Sequence, residues 1–198
     1  MGFFKKVNCC FCEEVVSMIK RTKIKSGEYI CQVCKTKIHP YAHCKWCDKR
    51  DIQSMMIQME QDEAYFESMK GKLKKEEFIA GNQTYTLYTL KDEQLFILET
   101  IETKNFKYHP IFHVEQIEPY GALIYREEHV QNKKPVIKYV ALEEKVDDKG
   151  KPRLYYVKFL YNDAKIEEVK IRFEGAYVKE ARAFYNALNH FLQACKCE

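Results

Sequence analysis

Two cysteine pairs constrain this chain more than any other feature: Cys9-x2-Cys12 and Cys31-x2-Cys34, with eighteen residues between them. Two residues between cysteines allow one tight turn to aim both sulfurs at a single point. Two such turns supply the four ligands of a tetrahedral zinc, at bonds of about 2.3 Å. The spacing between the pairs falls in the range of known four-cysteine zinc sites. Ser26, Gly27 and Glu28 read as a hairpin turn, and Tyr29 and Ile30 lead into the second pair. The pattern predicts knuckle, hairpin and knuckle, with a short helix starting near Cys34. With all four places filled by protein, no position is left for a reactive water, so the expected zinc is structural. Cys10 is out of register with these ligands.

A second constellation follows at His39, His43, Cys44 and Cys47. Cys44-x2-Cys47 is again a knuckle, and a second zinc is expected there. His39 or His43 would complete it locally, at a small loop-closure cost. The alternative ligands are Cys195 and Cys197, brought back from the C-terminal tail. Without metal, the pair would be free thiols, open to redox chemistry.

Cysteines in CxxC pairs, in a chain with no secretory leader, favour metal over disulfides. Met1-Gly2 resembles a myristoylation start, but Lys6 stands where Ser or Thr is wanted. No apolar run reaches the roughly 18–20 residues needed to cross a bilayer. A cytoplasmic protein is expected. Apolar residues make up 46% of the chain and aromatics 14%, enough for a packed core. Charge is uneven: residues 1–50 hold eleven Lys or Arg against four Asp or Glu, or +7, and the rest of the chain carries −3.

Three regions separate by pattern. Residues 1–50 form a zinc-binding head. Residues 51–75 read as an amphipathic helix, with Ile52, Met55, Met56, Met59, Phe66, Met69 and Leu73 on one face. Asp48 or Asp51 would cap it. The methionine stripe fits packing on a flanking domain, and also a groove for a partner. Residues 82–198 read as strands closed by one helix. The strands are expected at 84–90, 94–101, 111–114, 117–126, 136–142, 153–160 and 166–173, with Asn162-Asp163 as a hairpin turn. A helix over 178–193 would bury Ala181, Phe184, Tyr185, Leu188 and Leu192. Seven strands and a C-terminal helix is the element order of a pleckstrin-homology-like domain, a bent antiparallel barrel plugged by its helix. The fold class expected is therefore α+β: a small zinc-ribbon or treble-clef-like head, a connecting helix and a PH-like β-domain.

The cysteine motif, with the stretch Lys23 to Cys34, the helix from Asp51 to Met69 and the run from Ile111 to Tyr120, resembles a bacterial family of unassigned activity. In that family a four-cysteine zinc domain precedes an amphipathic helix and a PH-like β-domain. The resemblance spans most of the chain and implies fold more than function. Cys44-x2-Cys47 departs from it as an insertion, and a glycine-rich loop often found in the β-domain is missing.

No Ser-His-Asp elbow, phosphate-cradling glycine loop or paired-carboxylate motif is present, which points away from an enzyme. His109 and His113 read as ordinary strand-edge residues. The leading expectation is an adaptor whose zinc head and β-domain each meet a protein partner. The alternative is nucleic-acid binding by Lys20, Arg21, Lys23, Lys25, Lys35, Lys37 and Trp46, with Phe3, Phe4, Phe11, Tyr29 and Tyr41 available for base stacking. A third reading is membrane association through Met1 to Lys6. No small-molecule substrate is evident.

Overall fold

Residues 6–123 and 136–196 are described by a computed structural model of the chain. The head begins with a two-residue hairpin, β1 (Val7–Asn8) against β2 (Val15–Val16). A 3-10 turn over Met18–Lys20 leads into a second hairpin, β3 (Arg21–Lys23) with β4 (Tyr29–Cys31). Gly27 turns that hairpin at a φ of +90°, a conformation glycine adopts without steric cost. Helix α1 (Gln32–Lys35) follows, and then a 3-10 turn over Cys44–Trp46.

Helix α2 spans Lys49–Met69. Both candidate caps are used. The Asp48 side chain accepts from Asp51 N at 2.9 Å, and Asp51 Oδ2 accepts from Asp48 N at 2.8 Å, a reciprocal capping box. The helix ends six residues before the expected limit of 75, with Lys72 N closing a turn on Met69 O. Leu73 lies beyond the helix but still packs with Phe66 and Met69.

The segment after that turn, unassigned from sequence, is strand β5 (Lys74–Ala80). Its Lys-Lys-Glu-Glu start carries no apolar alternation because it is a sheet edge. Lys74–Glu76 and Lys75–Glu77 ion pairs, at 2.7 and 2.6 Å, line it. Charge on an edge strand discourages pairing with other chains. From β5 one antiparallel sheet runs in order through β6 (Gln83–Leu90), β7 (Leu95–Glu99) and β8 (Ile111–His113).

The expected strand 117–126 is broken into β9 (Ile117–Glu118) and β10 (Gly121–Leu123); residues 124–126 lie outside the described ones. The expected strand 136–142 is likewise two, β11 (Val136–Lys138), paired to β10, and β12 (Ala141–Val146). Strands β13 (Pro152–Asp163) and β14 (Ile166–Glu174) complete the second sheet, in which β13 pairs with β9, β12 and β14. The tight turn of β13–β14 is Ala164-Lys165 rather than Asn162-Asp163. A register shift after Leu160 lets Asp163 pair with Ile166, and Asp163 Oδ1 accepts from Lys165 N at 2.7 Å. The chain closes with α3 (Val178–Lys196), whose buried face is Ala181, Phe184, Leu188, Leu192 and Cys195.

The main core lies between the two sheets and under α3. It holds two groups of contacting rings, Tyr85 with Phe173 and Phe184, and Phe96 with Phe112 and Phe159. The first sheet is covered on its other face too. Tyr88, Leu90, Leu95, Ile97 and Ile111 pack against Phe66 of α2. Burial on both faces explains why Leu95 to Leu98 is an unbroken apolar run instead of an alternating one. The head has its own core, which includes Ile24, Ile30, Ile38, five buried cysteines and Ile52. Helix α2 therefore buries Ile52, Met59 and Phe66, seven residues apart on one face, with Ile52 in the head core and Phe66 on the sheet. The methionine stripe faces inward: Met55 and Met56 pack on the head and Met69 on the sheet.

Two polar joints hold this arrangement. At the head, Lys165 Nζ meets Asp51 Oδ2 at 3.0 Å, and Lys165 O accepts from His43 N at 3.0 Å. At the far end of α2, His109 bridges two carboxylates: Nδ1 to Glu63 at 2.7 Å and Nε2 to Glu99 at 2.9 Å. Its ring lies against Phe66, centroids 4.2 Å apart. Burial disfavours its charged form, but the hydrogen bonds to Glu99 and Glu63 prevail and raise the imidazole pKa; Glu99 is lowered, chiefly by its bond to His109. The stabilisation from His109 is complete below the unfolded imidazole value of about 6.5 and is lost as pH rises through the higher folded value. That from Glu99 holds above about 4.5 and is lost as pH falls. Urea denaturation should find His109→Gln less stable than wild type by about 2 kcal/mol near pH 6, with the gap narrowing as pH rises through the raised imidazole value. A gap independent of pH would refute a charged bridge.

Candidate metal centre

Cys9 directly follows β1 and Cys12 sits across the first turn. The turn is closed by Cys9 N to Glu14 O and Glu13 N to Cys9 O, with Glu13 at a φ of +63°. Cys10 lends its backbone: Cys10 N donates to Tyr29 O at 2.9 Å, which ties this turn to β4. Its thiol is not among the converging sulfurs. Cys31 ends β4 and caps α1, its Sγ accepting from Cys34 N at 3.2 Å. Cys31 N in turn points at Cys9 Sγ, 3.3 Å away. Local hydrogen bonding thus aims each pair, and the β4 contact brings the two pairs together.

The result is that the sulfurs of Cys9, Cys12, Cys31 and Cys34 all lie within 4.8 Å of one another. Cys12 and Cys31 sulfurs are 3.7 Å apart. Cys9, Cys31 and Cys34 are buried, and Cys12 is exposed at the edge. No disulfide links them. Burial works to raise the Cys9 thiol, but amide donors from Cys12, Cys31 and Phe11 outweigh it and bring the value down to about 6. Burial and the neighbouring sulfurs push the Cys34 thiol far up. The second and later thiolates in such a cluster are opposed by the first unless a cation sits among them. A metal ion reverses that opposition, and the cluster can hold one.

The second expected set does not assemble. Among the described residues no other group of three or more His, Cys, Asp or Glu converges in this way. Cys44 and Cys47 are buried in the apolar head core with Ile24, Ile30 and Ile52, and Cys47 Sγ donates to His43 O at 3.4 Å. Burial raises both thiols, Cys47 to about 11, opposite to what a redox thiol needs. His43 is exposed and lies on the Trp46 ring, centroids 4.2 Å apart. His39 faces away from both, edge-on to Phe112 of the β-domain. Burial lowers its pKa to about 3, so it is neutral, and Nδ1 accepts from Tyr41 N. Cys195 is buried in the β-domain core at the end of α3. Cys197 lies outside the described residues, as do Phe3 and Phe4.

The basic residues proposed for nucleic acid divide. Lys20, Lys23 and Lys25 are exposed on the second hairpin, where Arg21 lies over the Tyr29 ring. Lys35 and Lys37 are half-buried. Tyr41 is not free for stacking; it packs on the β-domain core. Trp46 is exposed, but it lines a cleft with Glu167 and Glu168 as well as Lys170. No local pattern signals the His109 bridge or Asp51 with Lys165, because each joins positions far apart in the chain.

Elemental analysis should find one metal ion per chain, lost in Cys9→Ser and Cys34→Ser and retained in Cys44→Ala. Loss of metal from Cys44→Ala would mean that this residue is a ligand. Compared with protein families, with curated proteins and with solved structures, the chain finds no match.

Proposed function

We propose that this chain is a non-enzymatic interaction protein whose head is held by one structural zinc ion. The observation that carries the reading is the closed sulfur set: four cysteines converge with every place of a tetrahedron supplied by protein. Zinc is the metal of choice for a tetrahedral four-thiolate site without redox change. The order of turn, hairpin and turn, ending in a short helix, supports a treble-clef-like or ribbon-like head. Two antiparallel sheets facing across one core, with a C-terminal helix packed between them, support a PH-like β-domain.

A protein partner is favoured over nucleic acid by the surroundings of Trp46. Exposed Trp is a frequent anchor at protein interfaces. Here it lines a cleft with Pro40, Tyr41, Glu167, Glu168 and Lys170. Glu167 and Glu168 line the cleft, Glu168 ion-paired with Lys158 and Lys170, and this mixed charge suits a peptide surface better than a phosphate backbone.

Two outcomes check this reading. Chelation should remove about 10 kcal/mol of metal-linked stability and abolish amide protection in residues 9–38, while β6, β7, β13 and β14 stay protected in hydrogen exchange. Uniform loss or no loss would refute a metal-held head on an independent β-core. Cross-linking of wild type and Trp46→Ala in cells should show a protein partner bound at least about tenfold less by the variant. A partner recovered equally by both would rule out this cleft.

A further inference from the structure

The turn between β2 and β3 presents apolar side chains where the head's own packing calls for none. Val16 and Ile24 point into the head core. Their apolar neighbours on this turn face out: Val15 is 62% exposed, Met18 50% and Ile19 96%. Among the exposed large hydrophobics of the described residues, Ile19 has the highest exposure. Ser17, Met18, Ile19 and Lys20 form an unbroken exposed stretch on a 3-10 turn, closed by Lys20 N to Ser17 O at 3.2 Å. The rotation that buries Val16 leaves Val15 outside, since successive strand residues alternate faces. That accounts for Val15, but a turn residue such as Ile19 is under no such constraint.

Charge surrounds this tip on one side. Lys20 and Lys23 are exposed and Arg21 lies over Tyr29, 4.4 Å from the ring centre. No acidic residue occurs between Val15 and Gly27; Glu13 and Glu14 stand just before, at the metal turn. An aliphatic tip with adjoining cations combines the two terms that bind a segment to a bilayer surface, apolar insertion and attraction to anionic headgroups. Other classes of partner fit less well. Nucleic acid is gripped by aromatic faces and cations, and an aliphatic side chain has no face on which a base can stack. A protein interface covers about 800 Å² per partner and is commonly centred on aromatic anchors, whereas the exposed apolar side chains of this tip, Val15, Met18 and Ile19, are all non-aromatic.

We propose that the turn Val15–Lys23 docks on an anionic lipid surface, with Ile19 and Met18 entering the interfacial layer and Lys20, Arg21 and Lys23 meeting lipid phosphates. None of its residues lines the Trp46 cleft. It would place the head against a membrane while the β-domain remains available to a protein partner. Among the described residues no helix is long and apolar enough to cross a membrane, so the contact is peripheral.

The test is cosedimentation of the full-length, metal-loaded protein with phosphatidylcholine vesicles, with and without phosphatidylserine. Ile19 is outside every core, so Ile19→Glu should keep the fold, as circular dichroism would verify. Wild type should bind the phosphatidylserine vesicles, and Ile19→Glu should bind them at least about tenfold more weakly. Lys20→Gln and Lys23→Gln should each weaken binding about fivefold, and added salt should weaken it further. Ile19→Trp should bind at least as well as wild type, because Trp favours the interfacial layer. Failure of wild type to bind, or equal binding by folded Ile19→Glu, would overturn the proposal. Absence of vesicle binding together with oligonucleotide binding that falls in Lys20→Gln would overturn it in favour of nucleic acid.

Discussion

Four sulfur atoms within 4.8 Å of one another cannot all lose their protons unless a cation lies among them. The rest of the head depends on that constraint. Three of the four sulfurs are also walls of its core, beside Ile24, Ile30, Ile38 and Ile52. A core of this size excludes water from too little surface to hold two short hairpins and a one-turn helix by itself. Cys9, Cys31 and Cys34 therefore belong both to the sulfur cluster and to the packing, and Ile52 roots α2 in the order they create.

Helix α2 carries that order to the β-domain. Its buried face is reached by three side chains at seven-residue spacing, Ile52, Met59 and Phe66. Both of its ends are then fixed by charge. Asp51 belongs to the N-terminal capping box and also takes the Lys165 ammonium from the β13–β14 turn. Glu63 takes His109, which reaches on to Glu99 of β7. Lys107 N to Thr36 O and His43 N to Lys165 O add backbone links from head to β-domain. Such links explain why Tyr41, Ala42 and His39, though near the cysteine motifs in sequence, pack on the β-domain core.

Local patterns were legible where one element determines its own geometry. The CxxC turns, the stripe of α2, the strands at 84–90 and 166–173 and the face of α3 all follow from spacing within a few residues. Legibility failed where a partner decides. Strand β5 carries too much charge to alternate, and only its pairing with β6 makes it a strand. Cys44-x2-Cys47 has the spacing of a metal knuckle, but its thiols fill apolar space under Ile52. The β13–β14 turn lies two residues later than its Asn-Asp dipeptide suggests, because a register shift in the ladder overrides turn preference.

By itself the sequence singled out the four cysteines whose sulfurs converge, since two sulfurs three positions apart are brought together by a single backbone turn. It also determined the helical and extended character of most of the chain, through apolar periods of 3.6 and 2. Only the tertiary structure decided that Cys44 and Cys47 serve as core and form no second cluster among the described residues, which histidine bridges carboxylates, and which apolar side chains remain outside. Those outcomes depend on contacts between residues such as 51 and 165, or 63, 99 and 109. Their distances are set by how the hairpins, α2 and the two sheets pack, and no interval along the chain encodes them.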